Sequence, residues 1–273
     1  MPESLEIHPM LSDEWVKFNQ LDRAIFEEND QVREEYFHQR VQKPGFFAMN
    51  SQDGHLLGYL VLGRFSDKIA HLGRIGVQKS MQSQGLGAKL MEYALDWFRK
   101  QEGVKVVRLY TQVDNLHAQE LYKKFGFKVS GHTWHYFVPF TSLQALGGYS
   151  LLEAQPNEFQ TIAELFPASL PLEAIQNFIK GEQLIYALKD SSNSIVGACR
   201  FTPSFPGCFP FELTTLSSFD DFVLAFQPLC NPPSDFLRIT FHENQKLATL
   251  CETRGYHLHH KLYQMQLILS KKK

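Results

Sequence analysis

A loop with two spaced glycines follows an apolar strand and precedes a helix. Gly85 and Gly87 stand in this loop, between a strand that ends at Val77 and a helical pattern over residues 88–100. Glycine lets a ligand approach the backbone closely, and the unpaired N–H groups at the start of a helix attract anions. The pattern predicts a phosphate-binding loop. A tight turn that binds no ligand is the alternative that this loop alone leaves open.

The helical pattern after the loop is amphipathic. Its apolar residues share one face, and they are Leu90, Met91, Ala94, Leu95 and Phe98. Such a helix can pack on a sheet while its first turn stays open to a ligand. A β-branched strand is predicted over residues 104–111, and a second helix follows it. Asn115 and Gly126 are suited to begin and end that second helix.

The loop and the second helix together resemble the GNAT superfamily of acyl-CoA-dependent N-acyltransferases. The family's loop signature, Arg/Gln-x-x-Gly-x-Gly/Ala, is matched by residues 82–87. Its second signature, Asn-x-x-Ala-x-x-x-Tyr-x-x-x-Gly-Phe, is matched by Asn115, Ala118, Tyr122, Gly126 and Phe127. The chain departs from the family pattern at Lys79, where proline is frequent, and at Ser83, where glycine is frequent.

The resemblance implies acetyl-CoA as the co-substrate and direct transfer of its acetyl group to an amine in a ternary complex. The backbone from Ile75 to Val77 would hold the pantetheine arm, with the N–H of Val77 polarising the thioester carbonyl. Asn115 would touch the cofactor arm, and Tyr122 would protonate the leaving thiolate. The pyrophosphate would be held by the N–H groups of Gln82, Ser83, Gln84, Gly85, Leu86, Gly87 and Ala88.

His71 is a candidate general base. It stands six residues before Val77, where histone-acetylating members of the family carry a catalytic carboxylate. If the strand has no bulge, residues 71, 73, 75 and 77 share one face. An imidazole with a pKa near the usual value of about 6.5 could then take a proton from an ammonium group, directly or through water. The alternative is a hydrogen-bonded histidine of the sheet.

Acidic residues cluster in the segment that, by resemblance, flanks the acceptor site. Glu28, Asp30 and Glu34 are the candidates for acceptor binding, and Glu27 and Glu35 stand beside them. A negative field there would favour a cationic amine, carried by a small molecule or a peptide. A solvated helix face is the alternative.

The length of 273 residues favours two domains. We expect a GNAT acetyltransferase domain over residues 1–140, a linker over 141–148 and a degenerate GNAT-like domain over 149–273. A shift of 129 residues places Asn244 on Asn115 and Gly255 on Gly126. The expected fold class is therefore α/β (α+β): two tandem GNAT-like domains, each a mixed, mostly antiparallel twisted sheet flanked by helices.

The second half lacks the features of the predicted site. Asp220 and Asp221 stand at the loop position, and Cys251 stands at the tyrosine position. Aspartates there would satisfy the helix N-terminus themselves and repel a pyrophosphate. We therefore expect one acetyl-CoA per chain. The chain would be a monomer whose two domains form a pseudo-dimer, or a weak homodimer.

Composition excludes several other classes of protein. The net charge of −2 and the even spread of basic residues argue against a nucleic-acid partner. We expect neither a membrane span nor a secretory leader, and hence a cytoplasmic protein with four reduced cysteines. No metal is expected at the strand histidines, which are His132, His135, His257, His259 and His260.

Three kinds of function fit these patterns. The chain could be an N-acetyltransferase, an acyl-CoA-binding regulator without catalysis, or a scaffold built from two degenerate copies. The intact loop and Tyr122 favour the enzyme.

Overall fold

The computed structural model describes residues 5–269, with the side chain of Asn29 excepted. The helices are α1 (Trp15–Ile25), α2 (Glu34–Val41), α3 (Leu86–Arg99), α4 (Leu116–Lys124), α5 (Phe159–Leu165), α6 (Leu172–Lys180), α7 (Phe219–Leu224) and α8 (Gln245–Thr253). The strands are β1 (Glu6–Pro9), β2 (Phe46–Asn50), β3 (Leu56–Arg64), β4 (Ile69–Val77), β5 (Val106–Gln112), β6 (Lys128–Pro139), β7 (Tyr149–Glu153), β8 (Leu184–Asp190), β9 (Ile195–Thr202), β10 (Gly207–Leu213), β11 (Phe236–His242) and β12 (His257–Ile268).

Internal contacts divide the chain into two compact units. Unit 1 contains the described residues up to 111, residues 115–129, and the chain from Met265 onward. Unit 2 contains residues 112–114 and 130–264. The units follow the sequence differently from the expected domains, because most of β6 belongs to unit 2 and the end of β12 to unit 1. The domain boundaries at residues 140 and 149 stay a prediction.

Unit 1 is a mixed sheet with helices on both faces. Its strands follow the order β1-β2-β3-β4-β5, and the end of β12 adjoins β5. Strands β4 and β5 run parallel, whereas β1 to β4 pair antiparallel. On one face α1 and α2 cover a cluster that contains Phe18, Phe37 and Tyr59. On the other face α3 packs on β3 and β4, with Leu90 next to Gly58.

Helix α3 confirms the amphipathic pattern. Each of the five apolar residues expected on its inner face is at most 4% exposed. The helix begins at Leu86, two residues earlier than predicted, because Gly85 supplies a left-handed N-cap with a φ of 84°. Glycine adopts that conformation without the steric cost that a side chain would bring.

Unit 2 repeats the element order of unit 1. The series β7, α5, α6, β8, β9, β10, α7, β11, α8 follows the same order of strands and helices as β1 to α4. Its sheet order is β7-β8-β9-β10-β11-β6, and β10 and β11 form its parallel pair. Helix α7 has six residues, whereas α3, at the same place in unit 1, has 14.

The last helices of the two series begin and end alike. Asn115 accepts a hydrogen bond from the N–H of Ala118 (3.1 Å), and Asn244 accepts one from Leu247 (3.0 Å). Positive-φ glycines, Gly126 and Gly255, follow α4 and α8. Both helices close with hydrogen bonds of the Schellman type. The repeat inferred from the 129-residue shift is thus present in the local structure.

No helix in the part of the chain that the structure describes is long and apolar enough to cross a bilayer.

A buried carboxylate ties α1 to the sheet of unit 1. Asp22 is 1% exposed, accepts a hydrogen bond from the Tyr59 hydroxyl and lies 3.0 Å from the Arg74 guanidinium. It also accepts from the N–H of Val32 (2.8 Å), and Arg74 donates to the backbone oxygen of Asp30 (2.7 Å). These bonds fix the segment between α1 and α2 against β4. Burial raises the pKa of Tyr59, which keeps its hydroxyl a donor.

We expect Asp22→Ala to lower the free energy of unfolding by on the order of 3 kcal/mol, because Arg74 and Tyr59 would lose their shared partner. Denaturant titration measures the loss. The matched control is Asp96→Ala, since Asp96 pairs with Arg99 at the surface of α3 (2.7 Å) and should contribute less than about 1 kcal/mol. Equal losses in the two variants would contradict a structural role for the buried pair.

Candidate active site

The glycine loop presents a run of unpaired N–H groups. Among the described residues, the six N–H groups from Ser83 to Ala88 have no hydrogen-bond acceptor. The first intrahelical bond of α3 is donated by Lys89, to the oxygen of Gly85 (3.1 Å). Because the positive end of the helix dipole lies at the same place, this segment is suited to bind phosphate oxygens.

Gln82 uses its own donors within the loop. Its N–H donates to the oxygen of Lys79 (3.3 Å), and its side-chain amide donates to the oxygen of Val77 (3.1 Å). The expected set of seven N–H groups is therefore reduced by one, and Gln82 instead joins the loop to the end of β4.

The two loop glycines have different roles. A side chain at Gly85 would meet nothing within 4 Å, so open space lies in front of this left-handed residue. A side chain at Gly87 would point at Leu121 of α4, with its Cβ 3.2 Å from the Leu121 Cδ2. Gly87 thus allows α3 and α4 to pack closely. Only Gly85 fits the expectation that these glycines admit a ligand.

Strands β4 and β5 separate where the predicted site lies. They pair from Ile69 with Val106 to Leu72 with Leu109, and the rest of β4 has no partner in β5. The N–H of Gln78 donates to the oxygen of Leu57 (2.9 Å). Since hydrogen-bonded pairs alternate along antiparallel strands, the N–H groups of Ile75 and Val77 point away from β3, toward this gap. They can bind an extended ligand chain there, as expected for a pantetheine arm.

Asn115 and Tyr122 lie on the helix that follows β5. The side-chain carbonyl of Asn115 caps α4. This side chain is exposed, and its amide N–H groups are left for a ligand. Tyr122 is 5% exposed, and among the described residues its hydroxyl has no hydrogen-bond partner. Burial raises the pKa of Tyr122, so the phenol stays protonated at neutral pH. A protonated phenol without a partner is what a proton donor requires.

The expectation that His71 shares a face with Ile75 and Val77 is wrong. Val61 pairs with Arg74 and the next residue, Leu62, pairs with Leu72, so Gly73 is an extra residue in β4. This bulge shifts the alternation by one position. His71 therefore lies on the face of Arg74 and Gly76, the face that α1 covers.

The surroundings of His71 are aromatic. Its ring stacks on Phe65 at a centroid distance of 4.5 Å and meets Tyr110 edge-on at 5.8 Å. Burial lowers the pKa of His71 to about 4, in place of the near-normal value that we expected. The imidazole is neutral at pH 7 and is a weak base, and its catalytic role stays a prediction.

The acidic candidates for acceptor binding are dispersed. Glu34 is 61% exposed and lies 3.6 Å from the His38 imidazole, as is typical of a solvated helix face. Glu28 is exposed, and Asp30 contributes its backbone oxygen to Arg74. The role of these three residues in acceptor binding stays a prediction.

Sequence reasoning missed two arginines on the face that carries His71. Arg74 is part of the Asp22 cluster, and Arg108 is the parallel partner of His71. The alternating pattern of β5 could have indicated Arg108, because it places Arg108 and Tyr110 on the face opposite Val107 and Leu109. In the structure Val107 and Leu109 are fully buried, whereas Arg108 and Tyr110 are half-buried. No signal marked Arg74, since its side depends on the bulge at Gly73.

In unit 2 the aspartates at the corresponding helix start are hydrogen-bonded to another segment of the chain. Asp221 accepts hydrogen bonds from the N–H groups of Leu146 (3.1 Å) and Gly147 (2.9 Å), and Asp220 accepts one from Gln144 (3.0 Å). The aspartates therefore bind residues 144–147 and do not cap α7 as expected. Cys251 is fully buried, and burial raises its pKa to about 12.

Comparison with known proteins finds relatives of the part of the chain that contains the candidate site. The model of the acetyltransferase (GNAT) family matches residues 7–127. A Bacillus subtilis (strain 168) protein, whose name assigns it to alanine N-acetylation of ribosomal protein bS18, is 28% identical over 107 residues. That match covers 39% of this chain and 70% of the relative. Two further curated relatives are matched over less than two fifths of their own length.

Solved structures share the fold of the whole chain. A GCN5-related N-acetyltransferase from Sphaerobacter thermophilus has a TM-score of 0.75 at 12% identity, covering 98% of this chain and 96% of its own. A tandem GNAT protein from the clavulanic acid biosynthesis pathway has a TM-score of 0.65 at 11% identity, covering 99% and 100%. These likenesses concern the fold and confirm the expected tandem α/β class. The match of the acetyltransferase (GNAT) family model places residues 7–127, rather less than half of the chain, in that family.

Proposed function

We propose that the protein is an N-acetyltransferase that moves the acetyl group of acetyl-CoA to a primary amine. The observation that carries the proposal is the run of six unpaired N–H groups from Ser83 to Ala88 beside the gap between β4 and β5. A pyrophosphate fits the first feature, and an extended pantetheine arm fits the second. The name of the Bacillus subtilis relative supports an amine as the acceptor.

Three groups would act on the bound substrates. The N–H groups of Ile75 and Val77 would bind the arm, and that of Val77 would polarise the thioester carbonyl as negative charge develops on its oxygen. Tyr122 would donate its proton to the departing CoA thiolate. The amine would attack in a ternary complex, without a covalent intermediate on the protein. The proton that the amine loses would leave through water or through His71.

The second unit would bind no acetyl-CoA. Two carboxylates, of Asp220 and Asp221, stand at the start of α7 and are held there by the N–H groups of Gln144, Leu146 and Gly147. The position of the tyrosine is taken by Cys251. The proposal therefore includes one acetyl-CoA per chain and a small-molecule or peptide amine as acceptor. A cytoplasmic location is part of it, supported by four buried, unbridged cysteines, Cys199, Cys208, Cys230 and Cys251.

Gly85→Asp should weaken acetyl-CoA binding by on the order of 100-fold, because the new carboxylate enters the space of the pyrophosphate and repels it. Calorimetric titration measures the affinity and the number of sites. Gly54→Asp is the matched control, since Gly54 also has a positive φ and open space in front of it. Both variants carry similar backbone strain. A stoichiometry of two, or equal weakening by both changes, would oppose the proposal.

Tyr122→Phe should lower kcat by about 10²–10⁴-fold and leave acetyl-CoA affinity nearly unchanged, because only the proton donor is removed. Release of free CoA thiol across a panel of amines measures turnover. Tyr93→Phe is the control, as Tyr93 lies on α3 with its ring against Phe47. Acetyl-CoA binding without CoA release for any amine would instead favour a regulator, and absence of binding would favour a scaffold.

His71 should make the stability of the protein depend on pH. Its pKa is about 4 in the folded state and near the usual value of about 6.5 when unfolded, so acid protonates the unfolded state first. Stability is then full above about pH 6.5 and falls as the pH approaches 4. His71→Gln should lose less stability than the wild type over this window, in denaturant titrations at several pH values. Exposed His117→Gln is the control.

The same variant tests the catalytic role of His71. If His71 is the base, His71→Gln should lower kcat/KM at neutral pH. Activity should recover partly at higher pH, because more of the amine is then already deprotonated. Wild-type activity across the range from about pH 6 to 9 would show that another group or water takes the proton.

A further inference from the structure

Arg108 is a cation without a counterion among the described residues of unit 1. Its Nε is enclosed by the protein and makes no hydrogen bond. Within residues 5–269, no acidic side chain lies within salt-bridge distance of its guanidinium, and no acceptor is bonded to it. Arg108 as a whole is half-buried, and an enclosed N–H without an acceptor is unfavourable unless a bound group supplies one.

Arg108 lies where the gap between the two parallel strands begins. The last pair of β4 and β5 is Leu72 with Leu109, and Arg108 is one residue before it. Leu72 and Leu109 are buried under the α3 side, so Arg108 lies on the opposite face. Ile75 is four residues beyond His71, the partner of Arg108, and because Gly73 is an extra residue its N–H lies about 10 Å further along the strand. A ligand of modest length can therefore reach both positions.

The groups around Arg108 leave its charge uncompensated. On the same face are His71, which is neutral at pH 7, and Tyr110, whose pKa is raised to about 12 by burial. Arg74 is the other cation of this face, but Asp22 neutralises it at 3.0 Å. The acidic residues Glu28 and Glu34 are exposed, Asp30 is half-buried and bonds Arg74 through its backbone oxygen, and none of the three lies within salt-bridge distance of Arg108. The local charge of this face thus favours an anion.

We propose that Arg108 binds a carboxylate group on the amine acceptor. This deepens the proposed function and rests on it, because the bound carboxylate would hold the amine near the thioester in the gap. A guanidinium binds a carboxylate through two parallel hydrogen bonds, which fixes orientation as well as charge. The acceptor class is then an amino acid or a peptide with a carboxylate within about 10 Å of its amine.

The test compares matched acceptors with the full-length protein. Linear ω-amino acids of increasing length and short peptides are paired with their neutral carboxamides, and CoA release is measured. The wild type should prefer the carboxylate by about tenfold or more in kcat/KM for the best length. Arg108→Gln should abolish the preference, and Arg108→Lys should keep part of it. Acetyl-CoA affinity should be the same in all three proteins.

A second measurement does not depend on turnover. If Arg108 serves a ligand, unliganded Arg108→Gln should melt at the wild-type temperature or above it, since an unpaired charge is removed. With CoA bound, N-acetylated ω-amino acids should raise the melting temperature of the wild type, and their amides should not. Arg99→Gln, at the surface of α3, is the control for loss of a cation.

The outcomes separate the two proposals. Loss of acetyl-CoA binding, or absence of CoA release with every amine, counts against the acetyltransferase. Turnover with equal use of acids and amides counts against the carboxylate site alone. A lower melting temperature of unliganded Arg108→Gln would show that Arg108 is structural and would overturn the inference.

Discussion

The separation of β4 from β5 is the constraint on which the site of unit 1 depends. Parallel strands normally continue to pair, and here pairing stops after Leu72 and Leu109. The extra residue Gly73 bends β4 just beyond that point, since a bulge kinks its strand and increases the local twist. The backbone groups of Ile75 and Val77 are then left for a ligand. The glycine loop continues from the same strand, so the gap and the loop both depend on the course of β4.

The same bulge decides which face of the sheet each residue of β4 occupies. Leu72, before the bulge, packs in the core beneath α3, and Ile75 and Val77, after it, lie on that same face. His71 and Arg74 share the opposite face, although they are three residues apart. Because an unbroken strand would place them on opposite faces, their shared face is a consequence of one inserted residue.

The sequence was sufficient to predict the helices and strands, but not the faces of the sheet on which the candidate residues lie. Helix α3, the Asn115 cap and the repeat of that cap at Asn244 follow from local patterns, and local hydrogen bonds enforce them. The environment of His71 does not follow, because the bulge and the aromatic rings beside it are set by contacts between strands. Gly87 looked like a ligand glycine because its spacing matches the motif, but Leu121 of the next helix explains its lack of a side chain.

The two arginines on the face of β4 and β5 that carries His71 differ in the partners that the fold supplies to them. Arg74 has Asp22, Tyr59 and the backbone of Asp30, so its charge is satisfied without a ligand and it holds the segment after α1. Arg108 has an enclosed Nε and no such partners among the described residues. The fold thus supplies partners to Arg74 and leaves the Nε–H of Arg108 without one, beside His71 and six residues before the end of β4. A carboxylate on the acceptor would supply the missing acceptor atoms, and its two parallel hydrogen bonds to the guanidinium would contribute both affinity and orientation.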